Sequence, residues 1–183
     1  MELFWLVIGA VVLLVMITAI DTRSNGFFCQ NRIGQHNKTF RIYKLRTLHT
    51  VTQQISSWGK FLRKTKIDEL PQLLNILKGE MTFVGPRPDI AGYADKLEGA
   101  DRIILNLKPG LTGLASLKYH NEEQLLAQQT HPEKYNDEVI WPDKVRINKW
   151  YAQNRTFVMD LQIIFYTLFP ISFDVDAFVG HRV

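Results

Sequence analysis

Cysteine is almost absent from these 183 residues: Cys29 stands alone, so no internal disulfide braces the fold. A lone thiol fits a reducing compartment. Acids are missing from one long stretch. From Thr22 to Lys66 there are ten Lys and Arg side chains and no Asp or Glu. Other signatures are missing altogether. There is no glycine-rich P-loop or dinucleotide fingerprint, the five histidines lack metal-ligand spacing, and no Ser-His-Asp order supports a hydrolase. No internal repeat, low-complexity tract or linker interrupts the chain. What is present supports a real core, since 46% of the residues are hydrophobic. The formal charge of +4 hides an asymmetry, because the residues after Lys66 carry a net charge of −4. A basic field attracts phosphates, whether on nucleotides, nucleic acids or anionic lipids. Nucleic acid is the weakest of these, as no recognised nucleic-acid fold motif accompanies the cations.

The first conspicuous feature is an apolar run from Leu3 to Ile20, 18 residues broken only by Gly9 and Thr18. As a helix it reaches about 27 Å, near the lower limit for crossing a hydrocarbon core. A cleaved secretory signal would carry a basic start, whereas the only charge before this run is Glu2. A buried soluble helix seldom stays apolar on every face. We therefore expect residues 1–21 to be a membrane-anchoring hydrophobic helix, re-entrant or spanning, and residues 22–183 to form one compact domain. Arg23, Arg32, Lys38 and Arg41 follow the run, which places that domain in the cytoplasm by the positive-inside rule.

Short strands are expected at Gly26–Phe28 and Phe40–Arg46, with a turn at Arg32–Gln35 between them. Ser57–Lys66 mixes Trp58, Phe61 and Leu62 with four cations and reads as a basic amphipathic helix. It either lies at a membrane interface or docks on the core. Pro71 is tolerated in a first helical turn, so a helix is expected to begin at Ile67 or Asp68. Leu70, Leu73, Leu74 and Leu77 then form a stripe expected to face the core, and Gly79 ends the helix. A strand at Met81–Val84, a short element at Ile103–Leu107, a polar helical segment from Asn121 to Asp143 and a helix from Phe157 to Phe169 complete the pattern. The last presents Leu161, Ile164, Phe165 and Leu168 to the core or to a bilayer. The fold class is α+β: one small mixed domain on an N-terminal membrane helix, with amphipathic interfacial helices.

Asp68 and Glu69 are the first acids after the basic field. Asp68 is either the cap of its helix or a functional carboxylate. A helix N-terminus with Arg63, Lys64 and Lys66 nearby favours the ionised form, which suits a nucleophile or a metal ligand. Glu69 lies about 100° further round the helix, so the two do not duplicate one another. In the functional reading one can attack while the other helps hold a divalent cation, most naturally Mg2+. Arg87, gripped between Pro86 and Pro88, is the leading phosphate clamp, and Lys44 and Arg63 follow.

The ordered motifs Arg32-Ile33-Gly34, Lys44-Leu45-Arg46-Thr47, Asp68-Glu69-Leu70-Pro71-Gln72-Leu73, Leu77-Lys78-Gly79-Glu80-Met81, Phe83-Val84-Gly85-Pro86-Arg87-Pro88 and Lys108-Pro109-Gly110-Leu111-Thr112-Gly113 closely resemble the bacterial sugar transferases, the monotopic phosphoglycosyl transferases. The resemblance runs from about Gly26 to Leu168. It implies an enzyme at the cytoplasmic face of the bacterial inner membrane. Such an enzyme moves a sugar-1-phosphate from a UDP-sugar to polyprenyl (undecaprenyl) phosphate, releases UMP, and so begins assembly of a capsule, exopolysaccharide, O-antigen or glycoprotein glycan. It further implies that Asp68 is the nucleophile of an aspartyl intermediate, that Glu69 is its partner with Mg2+, and that Lys44, Arg63 and Arg87 surround the phosphates. Its partners are the donor, the acceptor and membrane lipids, with a homodimer also admissible. The competing class is an inactive membrane-anchored module that binds anionic lipid or a partner enzyme. Three departures stand out. Gly9-Ala10 replaces the Ser-Pro pair that bends the membrane helix in relatives. Asn148 sits where relatives often carry an acid. Leu114-Ala115-Ser116-Leu117-Lys118 follows Gly113 in place of the commoner Trp-Ala-Gln.

Overall fold

The computed structural model describes residues 2–169 and 171–180, with the side chains of residues 2–8 and 10 outside that description. The chain mixes helix with short strands and groups into two compact units. Residues 1–31 and 41–78 form the first, and residues 32–40 and 79–183 form the second.

In the first unit, helix α1 covers Glu2–Thr22. The anchoring role expected of residues 1–21 falls in part on side chains outside the description. Among the described residues no helix is long and apolar enough to cross a membrane. The later turns of α1 expose Val11, Val12, Leu13, Met16 and Ile20, whereas Thr18 and Thr22 are fully buried. Each threonine hydroxyl satisfies itself on the carbonyl four residues earlier, at 2.7 Å. Helix α2, Ser57–Thr65, starts as a serine-capped helix should. Ser56 Oγ accepts from Gly59 N at 2.9 Å and donates to Asp21 Oδ2 at 2.6 Å, so one cap also ties α2 to α1. Trp58 Nε1 donates to Thr18 Oγ1 at 3.1 Å, and Leu62 fills the core while Phe61 stays exposed. The end of α1 is thus built into this unit.

Strands β1, Phe27–Ile33, and β2, Thr39–Leu45, pair as a two-stranded sheet. β1 is longer than expected, and Arg32 and Ile33 belong to it rather than to the turn. The reversal comes later, where His36 and Asn37 take positive φ and Gly34 N closes on Lys38 O at 2.9 Å. Gly26 is required by close approach: at φ +77° it packs against α1, and a side chain there would strike Val15 O.

The segment after α2 corrects the sequence reading twice. Lys66 takes a left-handed conformation, then Ile67–Gln72 winds as a 3-10 helix and passes into helix α3, Leu73–Leu77. Asp68 does not cap either helix. The leucine stripe also faces outward: Leu70, Leu73, Leu74 and Leu77 are exposed, Leu77 at 83%. Asp68, Glu69, Gln72 and Asn75 take the inside. The physical reason is that β2 offers polar backbone groups to this segment. Asn75 Nδ2 donates to Arg41 O at 2.7 Å and its Oδ1 accepts from Tyr43 N at 3.3 Å, completing the edge of β2 as a neighbouring strand would.

In the second unit, β3, Thr82–Val84, pairs in parallel with β4, Gly110–Thr112, in the register Thr82 with Gly110 and Val84 with Thr112. Gly110 lies so close to Gly85 that a Cβ would overlap the Gly85 amide. The main core combines Val84, Leu114, Ile147, Trp150, Tyr151, Met159, Ile163, Val175 and Val179. These come chiefly from helices α4 (Leu114–Lys118), α7 (Trp141–Asn154), α8 (Phe157–Leu168) and α9 (Val175–Gly180). Between α4 and α7 lie helices α5, Glu122–Ala127, and α6, Pro132–Tyr135, and a π-turn at Asn136–Ile140. Trp141-Pro142 therefore opens a helix where a boundary ending one was expected. Ile103–Leu107 falls mostly within a 3-10 stretch, Gly99–Asn106. On α8 the core takes Met159 and Ile163, and Phe157, Val158, Leu161, Phe165 and Leu168 are left exposed.

Candidate active site

The first unit gathers four of the five sequence-selected side chains. Lys44, near the end of β2, places Nζ 3.1 Å from Glu69 Oε1. Arg63, in the last turn of α2, is steered by Thr47, whose Oγ1 accepts from its Nε at 2.9 Å. The left-handed Lys66 then swings the chain so that Asp68 and Glu69 turn inward, helped by Glu69 N on Lys66 O at 3.1 Å. Both acids are 8% exposed.

Their electrostatics differ from the sequence expectation. The Asp68 carboxyl is pushed above the ordinary carboxylate range, first by burial and then by Glu69. Lys44, Lys66 and Arg63 pull it down but do not prevail. The neighbouring cations therefore fail to make this an unusually acidic group, because desolvation is the larger effect. One Asp68 oxygen, Oδ1, is buried without a hydrogen-bond partner, and so is Gln72 Nε2. Leaving such a group unpaired costs about 1–3 kcal/mol. An arrangement of this kind suits an incoming ligand that carries both an electrophile and hydrogen-bond acceptors.

These residues also fit a hard divalent cation such as Mg2+. Two adjacent carboxylates, one with an orphaned oxygen and a proton affinity raised by burial and by its neighbour, are the oxygen donors such an ion takes. No cluster of three His, Cys, Asp or Glu side chains suited to a metal occurs among the described residues. Mg2+ commonly accepts one or two carboxylates and completes its shell with water and substrate phosphate.

Arg87 belongs to the second unit. Its loop is pinned through the main chain, with Gly110 N on Pro86 O at 2.8 Å and Ile33 N on Asp89 O at 2.9 Å. Arg32 Nη1 adds a bond to Pro88 O at 3.3 Å, and Arg87 Nη1 reaches Leu111 O at 3.4 Å. Asp89, which sequence reasoning passed over, follows immediately. Burial pushes its carboxyl up to about 6, against the pull of Lys144, Arg32 and Arg87 and with a further push from Glu122. Asn148 is buried one helical turn beyond Lys144 on α7. Asp89 was legible as an acid beside the Pro-Arg-Pro loop. Its burial was not.

The Asp89 shift has a measurable sign. A raised acid binds its proton more tightly in the folded chain, so ionisation costs stability once pH exceeds the unfolded value. That cost is absent below about pH 4, grows to about pH 6 and is constant beyond, reaching roughly 3 kcal/mol at most. The Asp89→Asn variant is expected to lose this part of the pH dependence and to melt at or above the wild type at neutral pH. Thermal melts across the acid range test it, and an unchanged pH profile would refute the assignment.

The sequence model of a family described as bacterial sugar transferase matches residues 1–174. The uncharacterized sugar transferase EpsL of Bacillus subtilis is 32% identical over 178 residues, which cover 91% of this chain and 80% of that protein. The undecaprenyl-phosphate galactose phosphotransferase of Salmonella typhimurium is 30% identical, over 80% of this chain and 33% of its own length. The UDP-glucose:undecaprenyl-phosphate glucose-1-phosphate transferase of Klebsiella pneumoniae is 31% identical, over 90% of this chain and 37% of its own length. The chain thus spans about a third of the latter two relatives.

Proposed function

The chain belongs to the bacterial sugar transferase family, and from that premise we propose that it transfers a sugar-1-phosphate from a UDP-sugar to undecaprenyl phosphate, releasing UMP. The names of its Salmonella and Klebsiella relatives support that reaction class. The observation that carries the reading is the buried dyad, in which Glu69 is held by Lys44 while Asp68 keeps one oxygen without a partner.

The chemistry is two displacements at one phosphorus. An Asp68 oxygen attacks the phosphorus that bears the sugar, and the bond from that phosphorus to UMP breaks. UMP leaves with the electron pair, and an aspartyl phospho-sugar remains. A phosphate oxygen of the polyprenyl acceptor then attacks the same phosphorus, and the Asp68 carboxylate departs unchanged. Burial favours the first step, since a more basic carboxylate is a better nucleophile. Lys44 fixes Glu69 beside it, and Arg63, steered by Thr47, brings positive charge toward the donor's phosphates. Asp68 and Glu69 would hold Mg2+, which would supply charge to offset that of the phosphates. Arg87, on the rigid loop of the second unit, suits a phosphate in its own right.

The acceptor is a lipid, so the enzyme works at a membrane. The outward leucines of the 67–77 segment and the exposed apolar residues of α1 suit that surface. The cations that follow α1 favour the cytoplasmic side. The test is direct. Purified chain in detergent, given Mg2+, undecaprenyl phosphate and a panel of UDP-glucose, UDP-galactose and their N-acetylated counterparts, is expected to release UMP from at least one donor. Without acceptor, that donor is expected to leave its phospho-sugar on a peptide containing Asp68, detected by mass spectrometry. No UMP from any donor would favour an inactive lipid-binding module.

A further inference from the structure

The four polar residues on the inner face of the 67–77 segment fall into two kinds. Glu69 and Asn75 are committed within the protein: Lys44 Nζ meets Glu69, and the β2 backbone meets both ends of the Asn75 amide. Asp68 and Gln72 each keep an atom without a partner, Oδ1 and Nε2 respectively. Gln72 is 2% exposed, so water outside the fold does not compensate its amide. Both orphans belong to one 3-10 stretch, Ile67–Gln72, and both residues are buried. One is an acceptor or nucleophile and the other a donor.

A tetrahedral phosphoryl group answers both at once. Its phosphorus takes the carboxylate oxygen, and its non-bridging oxygens accept an N–H. We infer that Gln72 is a further catalytic residue, donating a hydrogen bond from Nε2 to a non-bridging oxygen of the phosphoryl group that Asp68 attacks. This rests on the two-displacement reading above and adds to it a neutral donor four residues along the same segment from the nucleophile. A neutral donor has a specific advantage there. It stabilises the oxygen on which charge accumulates without pairing with Asp68 and lowering its nucleophilicity.

Two variants test the assignment, with single-turnover formation of the Asp68 adduct at saturating UDP-sugar as the readout. The donor is whichever of the panel the wild type uses. Gln72→Met keeps the length of the side chain and removes both donors. Its adduct rate is expected to fall by about 10²-fold, the usual scale for one oxyanion donor, with an unchanged or raised melting temperature because an unpaired amide has been removed. Gln72→Glu keeps the shape and places an anion toward the phosphate. Its rate relative to wild type is expected to recover as pH falls from about 8 to about 6, because the protonated acid regains an O–H donor. An adduct rate within about threefold of wild type in Gln72→Met would overturn the role of Gln72 and leave the aspartyl mechanism standing. So would a deficit in Gln72→Glu that ignores pH. A wild type that forms UMP and product but never an Asp68 adduct would overturn the mechanism and this proposal together.

Discussion

Replacing Asp68 by asparagine is expected to lower UMP formation by on the order of 10³-fold or more, the scale seen when a covalent nucleophile is removed. The same change is expected to leave the protein folded and, at neutral pH, as stable as the wild type or more so. The second half follows from the environment of the carboxyl. Burial and the Glu69 charge raise its proton affinity over that in the unfolded chain, more than Lys44, Lys66 and Arg63 lower it. A raised acid costs the folded state above its unfolded pKa, and that cost vanishes as pH falls below it. The stability difference between variant and wild type should therefore be largest at neutral pH and close in acid. Turnover measured beside thermal melts at both pH values checks both halves. Retained turnover would remove the covalent role. A steep loss of neutral stability would mean that the carboxylate holds the fold together.

The second large effect concerns leucines that look like core. Changing Leu74 and Leu77 together to glutamate is expected to shift the melting temperature by no more than a few degrees, since both side chains already face outward. Two charges in a packed core would instead abolish folding. The same double variant is expected to bind vesicles containing phosphatidylglycerol about 10²-fold less tightly, as two leucines lose roughly 3 kcal/mol of burial between them. Flotation across a range of lipid concentrations measures the partition. Unchanged partition would show that the stripe does not meet lipid.

Much of this molecule was readable beforehand. Amphipathic pattern placed α2 and α8 within a residue or two, and the alternation at 40–46 gave β2. The dyad, Lys44 and Arg63 were chosen for their chemistry, and the first unit does bring Lys44 and Glu69 together. The orientation of 67–77 was misread for a definite reason. Leucines at 70, 73, 74 and 77 have helical spacing, but so do the polar residues at 68, 72 and 75. Periodicity separates two faces without saying which turns inward. The decision lay elsewhere in the chain, in the exposed backbone edge of β2 that Asn75 completes. Likewise, counting cations around Asp68 missed that its burial outweighs them. Local pattern records which groups are near in sequence, and desolvation depends on everything that surrounds them.

The Pro86-Arg87-Pro88 loop is held largely by main-chain atoms, through Gly110 N, the Asp89 carbonyl and the close backbone approach of Gly85 and Gly110. Its geometry therefore does not hang on the identity of the side chains it displays. Scaffold and cargo are separable there: recognition chemistry at 87 and 89 can drift from one lineage to another, or be swapped by an engineer, while the mount that presents it keeps its shape.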